Sequence, residues 1–122
     1  MGDLEKALPN EIADLAIRSG AELVLPLEQA KWAVRIASQN LIAVLGVEVF
    51  RILRDGFSVE TYRFGTETYS GYEVKFDGNW QEYVSLNNEA AARFIDENSF
   101  GEGYGYILTS TSENELRELG LK

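Results

Sequence analysis

No cysteine and no histidine occur among the 122 residues of this chain. The first absence excludes disulfides and thiol nucleophiles and says little about compartment. The second excludes more. Histidine is the commonest general acid/base near neutral pH and the commonest transition-metal ligand. A Ser-His-Asp triad, a cysteine protease and an ordinary zinc site are therefore ruled out. Carboxylate chemistry and hard-cation binding by oxygen ligands pass this filter. Long apolar runs are missing as well: none approaches the roughly 20 residues of a membrane helix, and mean hydropathy is -0.18. The stretch MGDLEKALPNEIADLAIRSG carries acids early and lacks the apolar centre of a secretory signal. Lys6 stands where a myristoylation motif takes Ser or Thr. These features lead us to expect a cytoplasmic protein without membrane association.

Positive charge is scarce. Eleven Lys and Arg face 20 Asp and Glu, for a formal net charge of -9. A field of this sign repels nucleic acid and anionic membrane and steers basic partners towards the surface. The imbalance is uneven along the chain: Asp77 to Leu116 holds eight acids and one base, whereas Lys31 to Arg63 holds five bases and three acids. One end of the molecule is therefore expected to be acidic. Apolar residues are not scarce, at 45% of the chain with 11% aromatic, so a packed core is assured. We expect one domain over residues 1–122, because two cores of about 60 residues each would be marginal.

Periodicity places the elements. Ile12, Leu15 and Ala16 fall at helical spacing and predict a helix from Asn10 to Arg18, capped by Gly20. After Pro26, LEQAKWAVRIASQ predicts a second helix with Leu27, Ala30, Val34 and Ala37 on its core face and Trp32 beside it. NLIAVLGVEVFRILRDG predicts a strand from Leu41 to Leu53 with a bulge or bend at Gly46, turning at Asp55-Gly56 into SVETYRF. GTETYSG reads as a loop, followed by a YEVKF strand, an Asp77-Gly78 turn and a WQEYVS strand. LNNEAAARFIDENS predicts a helix capped by Asn87 or Asn88, with Ala91, Phe94 and Ile95 buried. A last strand from Tyr104 to Thr109 leads to a short helix with a Ser112-x-x-Glu115 capping box and Gly120 behind it. The fold class expected is α+β: a mostly antiparallel sheet of four to five strands, helices on one face, two of them N-terminal.

Motifs of reactive chemistry are weak. GEGYG, Gly101 to Gly105, lacks the preceding strand and following helix of a phosphate loop, and Glu102 would repel the phosphate. DENSFGEG departs from calcium-loop order after Asn98. Among 20 acids, a close carboxylate pair is no signal of a glycosidase. No metal or cofactor is expected, and no catalysis.

Aromatic residues carry more information. Tyr62, Tyr69, Tyr72, Trp80, Tyr83, Tyr104 and Tyr106 lie in the β-rich half near the acidic excess. Tyr and Trp with few Lys suit a protein-binding surface, although aromatics also favour strands for packing alone. The candidate partner-binding residues are Tyr72, Glu73, Asp77, Trp80, Glu82, Tyr83, Glu102 and Tyr104. A two-residue turn at Asp77-Gly78 places Trp80 with Lys75, Glu73 and Glu82 on the exposed face; a three-residue turn sets it opposite Val74 or Phe76 in the core. The exposed register makes Trp80 the leading anchor. The buried one passes that role to Tyr83 and the acids around it.

Three stretches in order, VLGVEVF (Val44 to Phe50), FDGNWQEY (Phe76 to Tyr83) and SLNNEAAARFI (Ser85 to Ile95), resemble the immunity protein 40 family of bacterial polymorphic-toxin systems. The likeness covers Leu23 to Thr109. Val47-Glu48 stands where that pattern has Gly-Asp, and Gln81 where it has an aromatic. The resemblance implies a small cytoplasmic inhibitor that binds and blocks a cognate toxin domain, without catalysis. The residues read independently agree with it: an acidic, His-free domain with clustered aromatics suits a basic target such as a nuclease. Such a protein would be a monomer or weak homodimer. The alternatives are a carboxylate-dependent hydrolase or small-ligand domain, and a homo-oligomeric adaptor.

Overall fold

Leu4, Leu8 and Ile12 recur at steps of four and all three are buried, yet Pro9 interrupts the stripe they form. Proline has no N–H to continue the ladder. In the computed structural model, which describes residues 2–13, 17–19, 22–52, 58–65, 78–99 and 103–118, the stripe is accordingly shared by two short helices. These are α1 (Gly2–Ala7) and α2 (Asn10–Ala13), with the Ile12 N–H donating to the Pro9 carbonyl at 3.0 Å. The single helix expected from Asn10 to Arg18 does not form. Ile17–Ser19 is a strand, β1, paired antiparallel with β2 (Glu22–Val24). Gly20 lies outside the described residues.

Pro26 opens α3 (Leu27–Gln39) as expected. Ala30, Val34 and Ala37 are buried with Ala33 and Ile36, while Trp32 points away from the core at 46% exposure. The chain then runs through β3 (Ile42–Ile52) and β4 (Ser58–Gly65). Helix α4 (Trp80–Glu97), strand β5 (Tyr104–Ser112) and helix α5 (Glu113–Glu118) complete the order. The β3–β5 register shifts between Val44 and Gly46, where the glycine suggested a bulge.

The largest correction concerns WQEYVS. It is the beginning of the 18-residue helix α4, not a strand. Trp80, Val84, Ala91 and Ile95 are all buried and fall at helical steps. The start signal was also present: Asn79 accepts the Glu82 N–H at 3.0 Å, as an N-cap should. Gly78, at φ 100, supplies the left-handed residue before it. Gly78 of the Asp-Gly pair therefore leads into a helix rather than a strand; Asp77 lies outside the described residues. Asn87 and Asn88, expected as caps, are buried inside the helix. The YEVKF strand lies outside the described residues.

The fold is α+β with antiparallel pairing. Among the described residues there is no single sheet of four or five strands: β1 and β2 form one sheet and β4-β3-β5 another. Leu25 and Tyr106 exchange two backbone hydrogen bonds of 2.8 Å and bridge the pieces. Ile42, Val44, Val47 and Val49 of β3 pack with Ala33, Val34 and Ala37 of α3, Phe94 and Ile95 of α4, and Tyr106 and Leu108 of β5. A second, smaller apolar cluster joins Ala43, Trp80 and Val84, flanked by Leu45, Tyr83 and Leu116. Lys31 meets Asp96, and Ser38 meets Asn88, so α3 and α4 run antiparallel. No described helix is long and apolar enough to cross a membrane.

Candidate functional site

The connection from α3 to β3 spans only Asn40 and Leu41. A helix that ends this abruptly needs a left-handed residue just past its cap, a position glycine fills at least cost. Here it is Leu41, at φ 54, the one non-glycine residue with positive φ among those described. Its carbonyl accepts the indole N–H of Trp80 at 2.6 Å. Its side chain is 44% exposed, and Trp32 is the one other large apolar side chain so exposed in the described structure.

Polar side chains hold the surrounding backbone. Among the described residues, pairing of β4 with β3 begins at Gly46, and none of the paired β4 residues stands opposite Ile42 or Val44. The Asn88 side chain takes that place. Its Oδ1 accepts the Val44 N–H at 2.7 Å, and its Nδ2 donates to the Ile42 carbonyl at 3.0 Å and to Ser38 Oγ at 2.9 Å. An amide carries both a donor and an acceptor, so one asparagine imitates a strand's peptide group. On the other side Ser112 caps α5. Its hydroxyl accepts the Glu115 N–H at 3.1 Å, its N–H donates to Glu115 Oε1 at 3.0 Å, and its hydroxyl donates to Asp3 Oδ2 at 2.5 Å. The capping box read from the sequence is thus formed.

Leu41 stands between two depressions. The first, of about 330 Å³, is lined by Asp3 and Ala7 of α1, by Asn40 to Ile42, by Trp80, and by Ser112 to Asn114. Two carboxylates, Asp3 and Glu113, face it beside the tryptophan. Glu113 also pairs with Arg117 at 3.4 Å, one turn along α5. The second, of about 550 Å³, lies between α3 and α4. Val34, Leu41, Val84 and Ala92 supply its apolar surface, with Arg35 on one wall and Glu89 on the other. One turn beyond Val34 and Ala92, the Lys31–Asp96 pair at 3.5 Å bridges the helices. No group of three or more metal-ligating side chains occurs among the described residues. This arrangement offers hydrogen-bond acceptors, negative charge and apolar area to a partner.

The structure gathers some of the residues expected at a partner site and separates others. Trp80 is buried, at 8% exposure, and it is buried by a helix rather than by a hairpin register. Tyr83, half-buried, lies against it with ring centroids 5.4 Å apart. Glu82 is exposed on the first turn of α4. Tyr104 does not join them. It pairs in register with Arg51, while Ser112 pairs with Ile42 at the other end of the β3–β5 ladder. Eight strand steps separate Tyr104 from Ser112, about 26 Å. Tyr72, Glu73, Asp77 and Glu102 lie outside the described residues. Asp3, Leu41 and Glu113 were not anticipated. The available signal for Leu41 was the absence of glycine at a helix-to-strand junction.

Comparison with protein-family models, curated proteins and solved structures finds no match for this chain. VLGVEVF (Val44 to Phe50) lies in β3 and SLNNEAAARFI (Ser85 to Ile95) in α4, and the Asn88–Val44 hydrogen bond joins them. Their described residues outline the packed centre of the fold, with the surface around Leu41 at one end of it.

Proposed function

We propose that this chain is a non-catalytic, cytoplasmic immunity protein that binds and neutralises a basic protein toxin domain, through the face around Leu41. The observation that carries the proposal is Leu41 itself. An apolar side chain is held half in water at a backbone conformation that disfavours it, between two depressions and next to two carboxylates. Leucine gains nothing from water. A partner that covers it would gain apolar burial at the centre of an interface whose acids speed encounter. The net charge of -9 and the lack of histidine and cysteine favour inhibition by occupancy over chemistry. The role given to aromatic anchors shifts accordingly. Trp80 supports the surface from beneath with Tyr83 packed against it, and Leu41 is the contact.

Co-expression tests this reading. The toxin domain is sought in the reading frame next to this gene, as a basic C-terminal domain lethal to a bacterial host. Cells carrying both proteins should survive, and Leu41→Asp should restore killing while the variant stays folded by circular dichroism. The association rate of the purified pair should fall steeply with salt. Continued killing in the presence of the unmodified chain refutes the proposal for that pair.

A further inference from the structure

Helix α3 carries an exposed stripe on the side away from the core. Glu28, Trp32, Arg35 and Gln39 recur at steps of four, three and four, and all four are exposed. At helical pitch they fall within about 60° of one another around the axis, a single narrow face. Trp32 stands in the middle of it with 46% of its surface in water. The fold does not need the ring there, since Ala30, Ala33, Val34, Ile36 and Ala37 already supply the buried face of the helix. A half-wet tryptophan forgoes much of the apolar burial that a ring of its size can gain.

The charges along the stripe are ordered, an acid one turn before Trp32 and a base one turn after it. Lys31 reaches Glu28 at 3.9 Å and Asp96 at 3.5 Å, in surface pairs of small net strength. Arg35 also borders the groove across from Glu89, yet it enters no ion pair among the described residues. Glu28, Lys31, Arg35 and Asp96 balance, on a chain whose net charge is -9. A second copy therefore meets less repulsion here than at the acid-rich surfaces. The order of acid, tryptophan and base is also self-complementary when reversed. Two copies of α3 set antiparallel about a two-fold axis at Trp32 bring the two indoles together. Glu28 lies about 6 Å along the helix from that axis and Arg35 about 4.5 Å on the other side, so each Glu28 comes opposite the partner's Arg35. The face of one 13-residue helix is smaller than the roughly 800 Å² per partner of a stable interface, so the association is weak.

We infer that the chain self-associates through this face as a two-fold symmetric dimer, α3 against α3, closed on Trp32. The inference goes beyond the proposed function, because it stands on Trp32 and the charges about it whatever covers Leu41.

Sedimentation equilibrium of the full chain over a dilution series, with ¹⁵N spectra at each concentration, tests it. Concentrating the chain should raise its mass from one copy to two and no further. The amides of Glu28, Trp32, Arg35 and Gln39 and the Trp32 indole should move, while the buried Trp80 indole stays. Trp32→Glu should weaken association at least tenfold, with circular dichroism showing an intact fold. Glu28→Arg alone and Arg35→Glu alone should each weaken it as well, since each sets like charges across the axis. Mixed in equal amounts, or combined in one chain, the two changes should restore association. That rescue separates pairing across the axis from a merely disturbed helix. A chain still monomeric at about 1 mM overturns the inference. So does a dimer that survives Trp32→Glu, or a charge swap that fails to restore what the single changes lose. Shifts at Leu41 and Ala92 in place of Trp32 would assign the contact to the groove and overturn it too.

Discussion

The two apolar clusters of this domain are built by different means. The larger, between α3, α4 and the β3–β5 ladder, is assembled from aliphatic side chains at regular spacing. The smaller, around Ala43, Trp80 and Val84, adjoins polar hooks on backbone groups: Asn88 on Val44 and Ile42, and Trp80 on Leu41. The contrast teaches where each kind of force is needed. Regular elements satisfy their own backbone, so apolar contact suffices to join them. At the α3–β3 junction and the β3 bulge the ladder is incomplete, and side chains must complete it. The candidate binding face lies over the second region, where the surface is least regular and where Leu41 is left half in solvent.

Four substitutions would sharpen or break this contrast. In the larger cluster Ile95→Ala removes a fully buried side chain; urea unfolding should show a loss of about 3–4 kcal/mol. If instead it costs under about 1 kcal/mol, the larger cluster is not the chief source of stability. Asn88→Leu keeps volume and removes three hydrogen bonds. With the Val44 N–H and Ile42 carbonyl left unpaired, we expect a loss of about 2–3 kcal/mol, read in the same assay. Faster hydrogen exchange at Val44 should accompany it. Retained stability would show that water replaces the asparagine. Ser112→Ala removes the α5 cap and the tie to Asp3, for a cost of about 1 kcal/mol by thermal melting. Leu41→Gly should do the reverse. Relief of the left-handed leucine is expected to stabilise the fold by about 0.5–1 kcal/mol. The same change should weaken partner binding, a combination that separates a functional leucine from a structural one. A destabilised Leu41→Gly would mean that the side chain serves the fold.

Much of the larger cluster was legible in the sequence. The core face of α3, the residues Ala91, Phe94 and Ile95, the Gly46 bulge and the Ser112–Glu115 box all follow from spacing and local chemistry, because each involves neighbours within a few residues. The start of α4 was misread for a physical reason. Asp77-Gly78 and the β-favouring Trp80, Tyr83 and Val84 compete with a capping asparagine and a four-residue period, and the period wins once Trp80 and Val84 have a sheet to pack on. Asn87 and Asn88 looked like caps since asparagine seldom lies buried in a helix; only the β3 backbone at Ile42 and Val44, distant in sequence, gives Asn88 its partners.

The candidate site was less legible. Trp80 and Tyr83 were anticipated, and their rings pack together, with Glu82 exposed on the same helical turn; Tyr104 was placed with them by sequence proximity to acids and stands at the other end of the ladder. Asp3 and Ser112, 109 positions apart, meet through a hydrogen bond that no local pattern announces.

By itself the amino-acid sequence determined the charge, the exclusion of histidine and cysteine chemistry, the α+β class and most of the buried stripes, for these depend on composition and on periods of two and 3.6 residues. Tertiary structure alone decided that Trp80 is buried with its indole on the Leu41 carbonyl, that Asn88 bonds the β3 edge, and that Leu41 is half exposed between two depressions. Those outcomes depend on which backbone groups the packed sheet leaves unpaired, and that is settled only when distant segments meet.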